Sequence, residues 1–174
     1  ILHPKFMQCV TATARLSSRD PNFQNQPRGN TFPIRKVITS RFDKGKIMEI
    51  DFSQLEFRTA VFLAQDKQGM KDIAKWHEIL QSSAIEFKKI KTPSGREYAF
   101  PYAQRQAWGG SSYSTQIKNY PVQGFATADI VPIACINAYN LMKEQGVKSL
   151  LINTVHDSIV ADIYPGEEDT MADI

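Results

Sequence analysis

Two apolar runs near the C-terminal end, "SLLINTV" (Ser149–Val155) and "SIVADI" (Ser158–Ile163), are separated by only His156 and Asp157. Runs of this length on either side of so short a break predict an antiparallel hairpin. That pairing restricts the fold more than any other stretch does. Its alternation must put one face of a sheet on a core, and the bare Asp at its tip needs a reason. Aspartate bonds its own backbone and tolerates tight bends, so Asp157 could be turn chemistry. It could also be half of a metal site, provided that the chain supplies a second carboxylate elsewhere.

A second strand ending in an acid is present. "KIMEIDFS" (Lys46–Ser53) reads as a buried strand with Ile47, Met48 and Ile50 around a polar Glu49, running into Asp51 after a Lys44-Gly45 turn. "SQLEFRTAVFLAQ" follows as a helix, with Leu55, Thr59, Phe62 and Leu63 near one face. Residues 74–90 predict an amphipathic helix with Trp76, Ile79, Leu80, Ala84 and Phe87 on a stripe, and Pro93-Ser94-Gly95 predicts a second hairpin turn. Residues 113–144 predict one long helix or two, broken at Pro121 and closed by Gly146. Pro165-Gly166 leads into a last helix. Residues 8–33, rich in Arg, Ser, Asn, Gln and Pro, predict mostly loop. Strands and helices are interspersed without βαβα alternation. The expected fold is therefore α+β, a small antiparallel sheet backed by helices.

A chain of 174 residues fits one domain with room for a core, and 42% apolar with 22% charged residues argues against disorder. The net charge of +3 permits nucleic-acid binding without arguing for it. Cys9 and Cys135 lie far apart without metal spacing and are read as reduced thiols. No uninterrupted apolar run approaches the ~20 residues of a membrane helix, and no membrane association is expected. The chain begins "ILHPKF" and stops within "EEDTMADI"; both ends read as cuts.

If the strands of Asp51 and Asp157 are sheet neighbours, their carboxylates converge at one end of it. Two carboxylates held together repel, and a cation relieves the repulsion. Mg²⁺ favours one or two carboxylates plus substrate phosphates. A pair of ions ~3.5–4 Å apart can stabilise the attacking and leaving oxygens of a phosphoryl displacement. On this chemistry alone a strand-end Asp is more often a cap or turn residue.

Four stretches, in order, resemble motifs of the family A DNA polymerases, the bacterial polymerase I and phage replicase group. "TATARLSSRDPNFQNQPRG" (Thr11–Gly29) resembles the part that meets primer and template, and "EIDFSQLEFRTAVFLA" (Glu49–Ala64) resembles motif A. "NYPVQGFATADI" (Asn119–Ile130) resembles the helical motif before motif C, and "VHDSIV" resembles motif C. The resemblance implies a polymerase palm. Asp51, Asp157 and the backbone carbonyl of Phe52 would hold two Mg²⁺ ions. Glu56 would lie under the incoming sugar and exclude a 2′-hydroxyl, and His156 would contact the primer end. Arg15, Asn22, Asn25, Asn119 and Gln123 would touch the primer–template duplex. Amides at four of these places suit a sequence-blind enzyme, because minor-groove acceptors are shared between base pairs. Read without the resemblance, Asn22 and Asn25 are equally turn formers, Gln123 and Glu56 solvated helix residues, and His156 a surface histidine. The partners implied are primer–template DNA and deoxynucleoside triphosphates, in a bacterial cytoplasm or a phage-infected cell, with no processivity partner indicated.

Three features depart from the family pattern. The fingers segment, whose helix carries the Arg, Lys and aromatic residue that grip the triphosphate and base, has no counterpart, and a seam falls near Ile73–Ala74 within an otherwise single palm-type domain of residues 1–174. Ser158 stands where the family has Glu; serine there resembles the single-subunit phage-type RNA polymerases, whereas Glu56 and "QNQPRG" favour the DNA enzymes. Ala14 stands where Gly is usual. Three readings follow: a templated DNA polymerase, a fingerless palm that binds metal and DNA with little synthesis, and an RNA polymerase palm.

Overall fold

The structure is a computed structural model, and it describes residues 3–8, 10–26, 34–65, 71–107 and 109–174. The strands are β1 (Lys5–Met7), β2 (Ser17–Arg19), β3 (Lys46–Asp51), β4 (Lys89–Lys91), β5 (Glu97–Ala99), β6 (Leu150–Val155) and β7 (Ser158–Ile163). The helices are α1 (Leu55–Leu63), α2 (Lys71–Phe87), α3 (Ser114–Gln123), α4 (Val131–Gln145) and α5 (Glu168–Asp173). The α+β expectation holds. By contacts the chain divides into two compact units, one of Ile1–Thr11, Arg15–Ser53 and Ile130–Ile174, the other of Ala12–Ala14 and Gln54–Asp129.

In the first unit, the Ser149–Ile163 hairpin forms as expected and recruits β3, giving an antiparallel sheet in the order β3-β7-β6. Asp51 pairs with Ser158, Met48 with Ala161 and Lys46 with Ile163. Successive side chains of a strand point to opposite faces. One face therefore carries Met48, Leu151 and Ala161, which with Ile163 pack on Met142 of α4 and Met171 of α5. Burying a side chain such as Ile163 or Met142 contributes roughly 1.5–3 kcal/mol. The opposite face carries Glu49, Asp51, Ser158 and Asp162. Buried Asp162 is held there by the Arg41 backbone N–H (3.1 Å) and guanidinium (3.5 Å). Within residues 8–33, expected to be loop, Ser17–Arg19 forms a strand paired with Lys5–Met7. Three residues joined mainly by backbone bonds leave no side-chain period to read. Burial raises the pKa of the free Cys135 thiol. Cys9 lies outside the described residues.

The second unit is built on Leu80, Ala84, Ile90, Tyr98, Phe100, Ala103 and Ile117, with Trp76, Ile85 and Tyr120 packed against them. The hairpin of β4 and β5 forms around Gly95, whose φ of 86° is the left-handed conformation that glycine adopts without strain. The expected stripe on α2 is narrower than read: Leu80 and Ala84 are buried, while Ile79 and Phe87 face solvent. The seam near Ile73–Ala74 falls inside α2, which runs through it without interruption. Pro121 does not break the helix where expected. It sits buried inside α3, and the irregularity follows as a wider, π-wound turn over Gly124–Ile130. There Gly124 gives room to the Tyr98 hydroxyl. A methyl on Gly124 would overlap that hydroxyl and stand 2.9 Å from ring carbon Cζ.

From Ser114 to Gln145 the helical run is 32 residues, long and apolar enough to cross a membrane by length and composition only. The run contains Lys118, Asn119, Gln123 and Asp129, and Asp129 is fixed by an ion pair to Arg96 at 2.7 Å.

Candidate active site

The turn between β6 and β7 answers the question raised by its sequence. His156, not Asp157, takes the left-handed conformation (φ 57°), which histidine tolerates better than most residues. Asp157 is therefore not needed for conformational tolerance. Its backbone carbonyl instead accepts a hydrogen bond from Phe52 N–H at 3.3 Å, just past the Asp51–Ser158 pair. The first unit thus brings the backbones of Asp51, Phe52, His156 and Asp157 together at one end of its sheet. Asp51 is exposed and Asp157 half-buried, so both carboxylates are open to solvent.

The residues at that end offer two carboxylates and a backbone carbonyl, all hard oxygens. Among the described residues no group of three or more His, Cys, Asp or Glu side chains could by itself hold a metal. An open all-oxygen set that leaves coordination places for water and phosphate fits Mg²⁺ and does not fit a closed zinc site.

Glu49 is an acid at this end that the sequence reading passed over. It lies two residues before Asp51, hence on the same face, and its Oε1 accepts a hydrogen bond from the buried Ser158 hydroxyl at 3.0 Å. Ser158 Oγ also lies 3.1 Å from the Val155 carbonyl, within the hairpin turn. The period of two along β3 was the signal that could have found Glu49. The place where the family pattern has Glu is thus occupied by a serine bonded to a carboxylate from the neighbouring strand.

The segment Asn22–Gln26 is clipped to the same sheet. Gln24 Nε2 donates to the Thr154 carbonyl at 3.0 Å, and Asn153 Nδ2 donates to the Phe23 carbonyl at 3.4 Å. Asn22 Oδ1 accepts from the backbone N–H groups of Gln24 and Asn25, at 3.0 and 3.3 Å. Asn22 is therefore a turn former, and its Nδ2 remains as a donor. Asn25 is exposed. The Arg15 carbonyl accepts from the Thr11 hydroxyl at 3.1 Å.

Three of the expected site residues belong to the second unit. Glu56 is exposed in the first turn of α1. Asn119 is exposed and Gln123 half-buried, both on α3, and among the described residues neither amide has a hydrogen-bond partner. The Gln123 backbone carbonyl accepts from the Thr127 hydroxyl at 2.7 Å, inside the wider turn. Ala14, in the glycine place, has φ 59°, a left-handed conformation that costs a non-glycine residue roughly 1–2 kcal/mol.

The chain matches the model of DNA polymerase family A over residues 1–87 and again over 67–174. DNA polymerase I of Caldicellulosiruptor bescii is 25% identical in an alignment of 250 residues that takes in 99% of this chain and 29% of that protein. DNA polymerase I of Streptococcus pneumoniae is 31% identical over 96 residues, 53% of this chain and 11% of that one. The DNA polymerase of Bacillus phage SP01 is 46% identical over 70 residues, 35% of this chain and 8% of the phage protein. Among solved structures, the POL domain of Pol1 from M. smegmatis, in complex with DNA primer-template and dNTP, superposes with a TM-score of 0.83. It is 19% identical, and the match covers 98% of this chain and 43% of that one. The likeness shows a shared fold. The chain spans less than half the length of each of these relatives.

Proposed function

Since the chain belongs to DNA polymerase family A, we propose that it is the palm of a DNA-directed DNA polymerase, carrying the nucleotidyl-transfer site and part of the primer–template contact. The observation that carries this reading is the pairing of Asp51 with Ser158, together with the Phe52 N–H to Asp157 carbonyl bond, which gathers two acids at one sheet end. Asp51, Asp157 and the Phe52 carbonyl would hold two Mg²⁺ ions. When bound, the pair stabilises charge on the attacking and leaving oxygens of the displacement. The chain's own contribution is to fix the donors on rigid strands, so that little reorganisation is needed during reaction. Glu56 stands under the sugar of an incoming deoxynucleoside triphosphate and fills the space of a 2′-hydroxyl. His156 meets the primer end.

Arg15 pairs with backbone phosphate. The amides of Asn22, Asn25, Asn119 and Gln123 reach sugars and minor-groove acceptors, and so bind without reading sequence. The Asn22 carbonyl is already used by its own turn. That leaves an NH₂ group facing the A N3 and T O2 acceptors common to both A·T orientations. The setting is a bacterial cytoplasm or a phage-infected cell, as for the organisms of its relatives.

A second reading is favoured by the seam. The family match comes in two overlapping pieces, and the C. bescii alignment runs over 250 residues although this chain has 174. Both support a palm-type domain from which the family's fingers segment is absent near Ile73–Ala74. Such a chain binds metal and primer–template DNA and synthesises little, because positioning of the triphosphate supplies much of the rate. Glu56 weighs against the RNA polymerase alternative.

Two measurements on the 174-residue chain test these readings. Fluorescence anisotropy with a primer–template duplex is expected to show binding that weakens steeply with salt, as phosphate contacts require. Binding absent at low salt sinks both readings. Primer extension with Mg²⁺ and dNTPs then separates them: extension at a useful rate removes the fingerless module, and DNA binding without extension supports it.

A further inference from the structure

An open cleft of about 240 Å³ lies in the second unit, lined by side chains to which no functional role has been given above. Phe100 and Tyr120 form its inner wall, with ring centroids 6.2 Å apart and planes at 30°. Tyr113 and Tyr102 stand at its mouth, 45% and 74% exposed. Gln116 is the polar side chain of its lining. The mouth is built, not frayed. Ser112 Oγ donates to the Tyr102 carbonyl at 3.3 Å, and Gln104 N–H and carbonyl bond Ser112 Oγ and N–H, each at 2.9 Å. Tyr113 is held with φ 62°, a conformation that a bulky aromatic side chain rarely adopts.

We infer that this cleft is a stacking site for an unpaired nucleobase of single-stranded DNA, the template overhang beyond the duplex. The proposal rests on the polymerase reading for the identity of the strand, and on three observations for the site itself. The exposed rings of Tyr102 and Tyr113, beside one amide, suit a flat, weakly polar ring, because every base has a π-face and stacking tolerates any sequence. The volume falls below the ~300–1,000 Å³ of drug-sized pockets, so it takes one ring system and not an extended ligand. The surroundings are charged for a polyanion. Between Lys88 and Asp129 six basic residues stand against two acids; Glu97 pairs with Lys89 and Asp129 with Arg96, which leaves an excess of four positive charges in a chain that nets +3. A paired base offers no free face, which selects the single strand. On α3, Gln116 and Tyr120 lie one turn before Asn119 and Gln123, which are proposed to touch the duplex. Neighbours at three and four residues share a helix face, and a turn spans about 5.4 Å, so a strand leaving those amides reaches the cleft directly.

The test is anisotropy on the 174-residue chain with four labelled probes at one low salt concentration: a blunt duplex, the same duplex with a 5′ overhang, the same with an overhang of abasic sugars, and oligo(dT) alone. Parent protein is expected to bind the overhang duplex more tightly than the blunt one. Tyr102→Ala should remove about five- to 150-fold of that advantage, the span of base–aromatic stacking. Tyr102→Phe should keep it, and blunt-duplex binding should be equal in all three proteins. An overhang of abasic sugars that binds as well as one with bases overturns the proposal, because the contact is then to phosphate. So does a Tyr102→Ala protein with the parent's overhang advantage. Should the blunt duplex not bind at all, the polymerase reading fails. The oligo(dT) affinities of parent, Tyr102→Ala and Tyr102→Phe then decide the stacking site alone, with equal affinities overturning it.

Discussion

The two units place chemistry in different ways. In the first, the acids sit at the ends of paired strands, where register fixes them: Asp51 faces Ser158, and Asp157 is one residue from that pair. In the second, Glu56, proposed to meet the incoming sugar, projects from α1, the amides proposed to meet DNA project from α3, and the aromatic cleft is assembled from the end of a hairpin, a loop and a helix. Groups fixed by strand register suit reactions that tolerate little displacement. Groups on helix surfaces and loop rims suit contacts that must slide along a repeating polymer. A loss at the sheet end of the first unit should therefore appear in the rate, and a loss on α3 or in the packing of the second unit in affinity or stability.

The largest expected effect tests that division directly. Asp51→Asn or Asp157→Asn, made in a longer polymerase that carries a fingers segment at the seam, should lower primer extension at least about a thousandfold, roughly 4 kcal/mol of barrier. The same substitutions in the 174-residue chain should leave its melting temperature nearly unchanged, since Asp51 is exposed and Asp157 half-buried. Full extension by either variant would show that the sheet end is not the chemical half of the molecule.

Next comes the packing of the second unit. Gly124→Ala forces a methyl into the Tyr98 hydroxyl, and overpacking of this kind costs about 1–3 kcal/mol. At this chain length that is a melting shift of about 2–4 °C per kcal/mol. The Tyr98 hydroxyl is buried without a partner among the described residues, so Tyr98→Phe removes an unsatisfied group and part of the clash. The double variant should melt above Gly124→Ala alone. Additive losses would show that Gly124 is needed for the wider turn itself and not for room beside Tyr98.

How far the sequence could be read varies within each unit. The hairpin, β3 and both acids were legible because alternation and a two-residue break have few other solutions. The first strand pair was not, because its three-residue strands carry Ser and Arg with no apolar alternation. The wider turn after α3 was not, because Pro121 drew the expected break to itself while the space that matters is the one Gly124 leaves. Ile79 and Phe87 lie near the right helical stripe and still face solvent, since spacing gives a face and not its width. The aromatic cleft was invisible because Phe100, Tyr102, Tyr113 and Tyr120 have no common period and meet only through the folding of a loop.

A smaller effect distinguishes ion pairs within the second unit. Arg96 and Asp129 pair at 2.7 Å, at 31% and 12% exposure, and Ser94 Oγ adds a 2.6 Å bond to the same carboxylate. Lys89 and Glu97 pair at 3.0 Å, at 52% and 45% exposure. Asp129→Ala should cost about 1–3 kcal/mol, less than a fully buried pair because Arg96 is partly solvated. Glu97→Ala should cost under about 1 kcal/mol. Denaturant melts of the two variants check the order. Equal losses would mean that solvent screens both pairs alike.

The smallest effects are in pH, and they separate the units by window. In the second unit, burial first and the Lys118 charge second lower the pKa of His77 from its ordinary 6.5. The unfolded chain then binds the proton more readily than the folded one. The stabilising contribution is full above pH 6.5 and is lost as pH falls from there through the folded value. In the first unit, burial alone would raise the Glu167 carboxyl. Bonds from Lys148 N–H, Ser149 Oγ–H and Ser149 N–H, with the Lys148 charge, outweigh that and hold it below its ordinary 4.5. Its contribution is present above pH 4.5 and is lost as pH falls below it. Neighbouring Glu168 is lowered as well, chiefly by Lys46, so the total slope below pH 4.5 belongs to both acids and only a difference isolates one of them. Urea midpoints of the parent, His77→Gln and Glu167→Gln at half-unit steps from pH 7.5 to 3 provide that difference. His77→Gln should flatten the decline just below pH 6.5 and leave the acid limb intact. Glu167→Gln should flatten only the acid limb, since the amide can still accept hydrogen bonds but no longer titrates. If Glu167→Gln instead changed the decline just below pH 6.5, the two units would not titrate independently, and the separation of their chemistry would lose its simplest test.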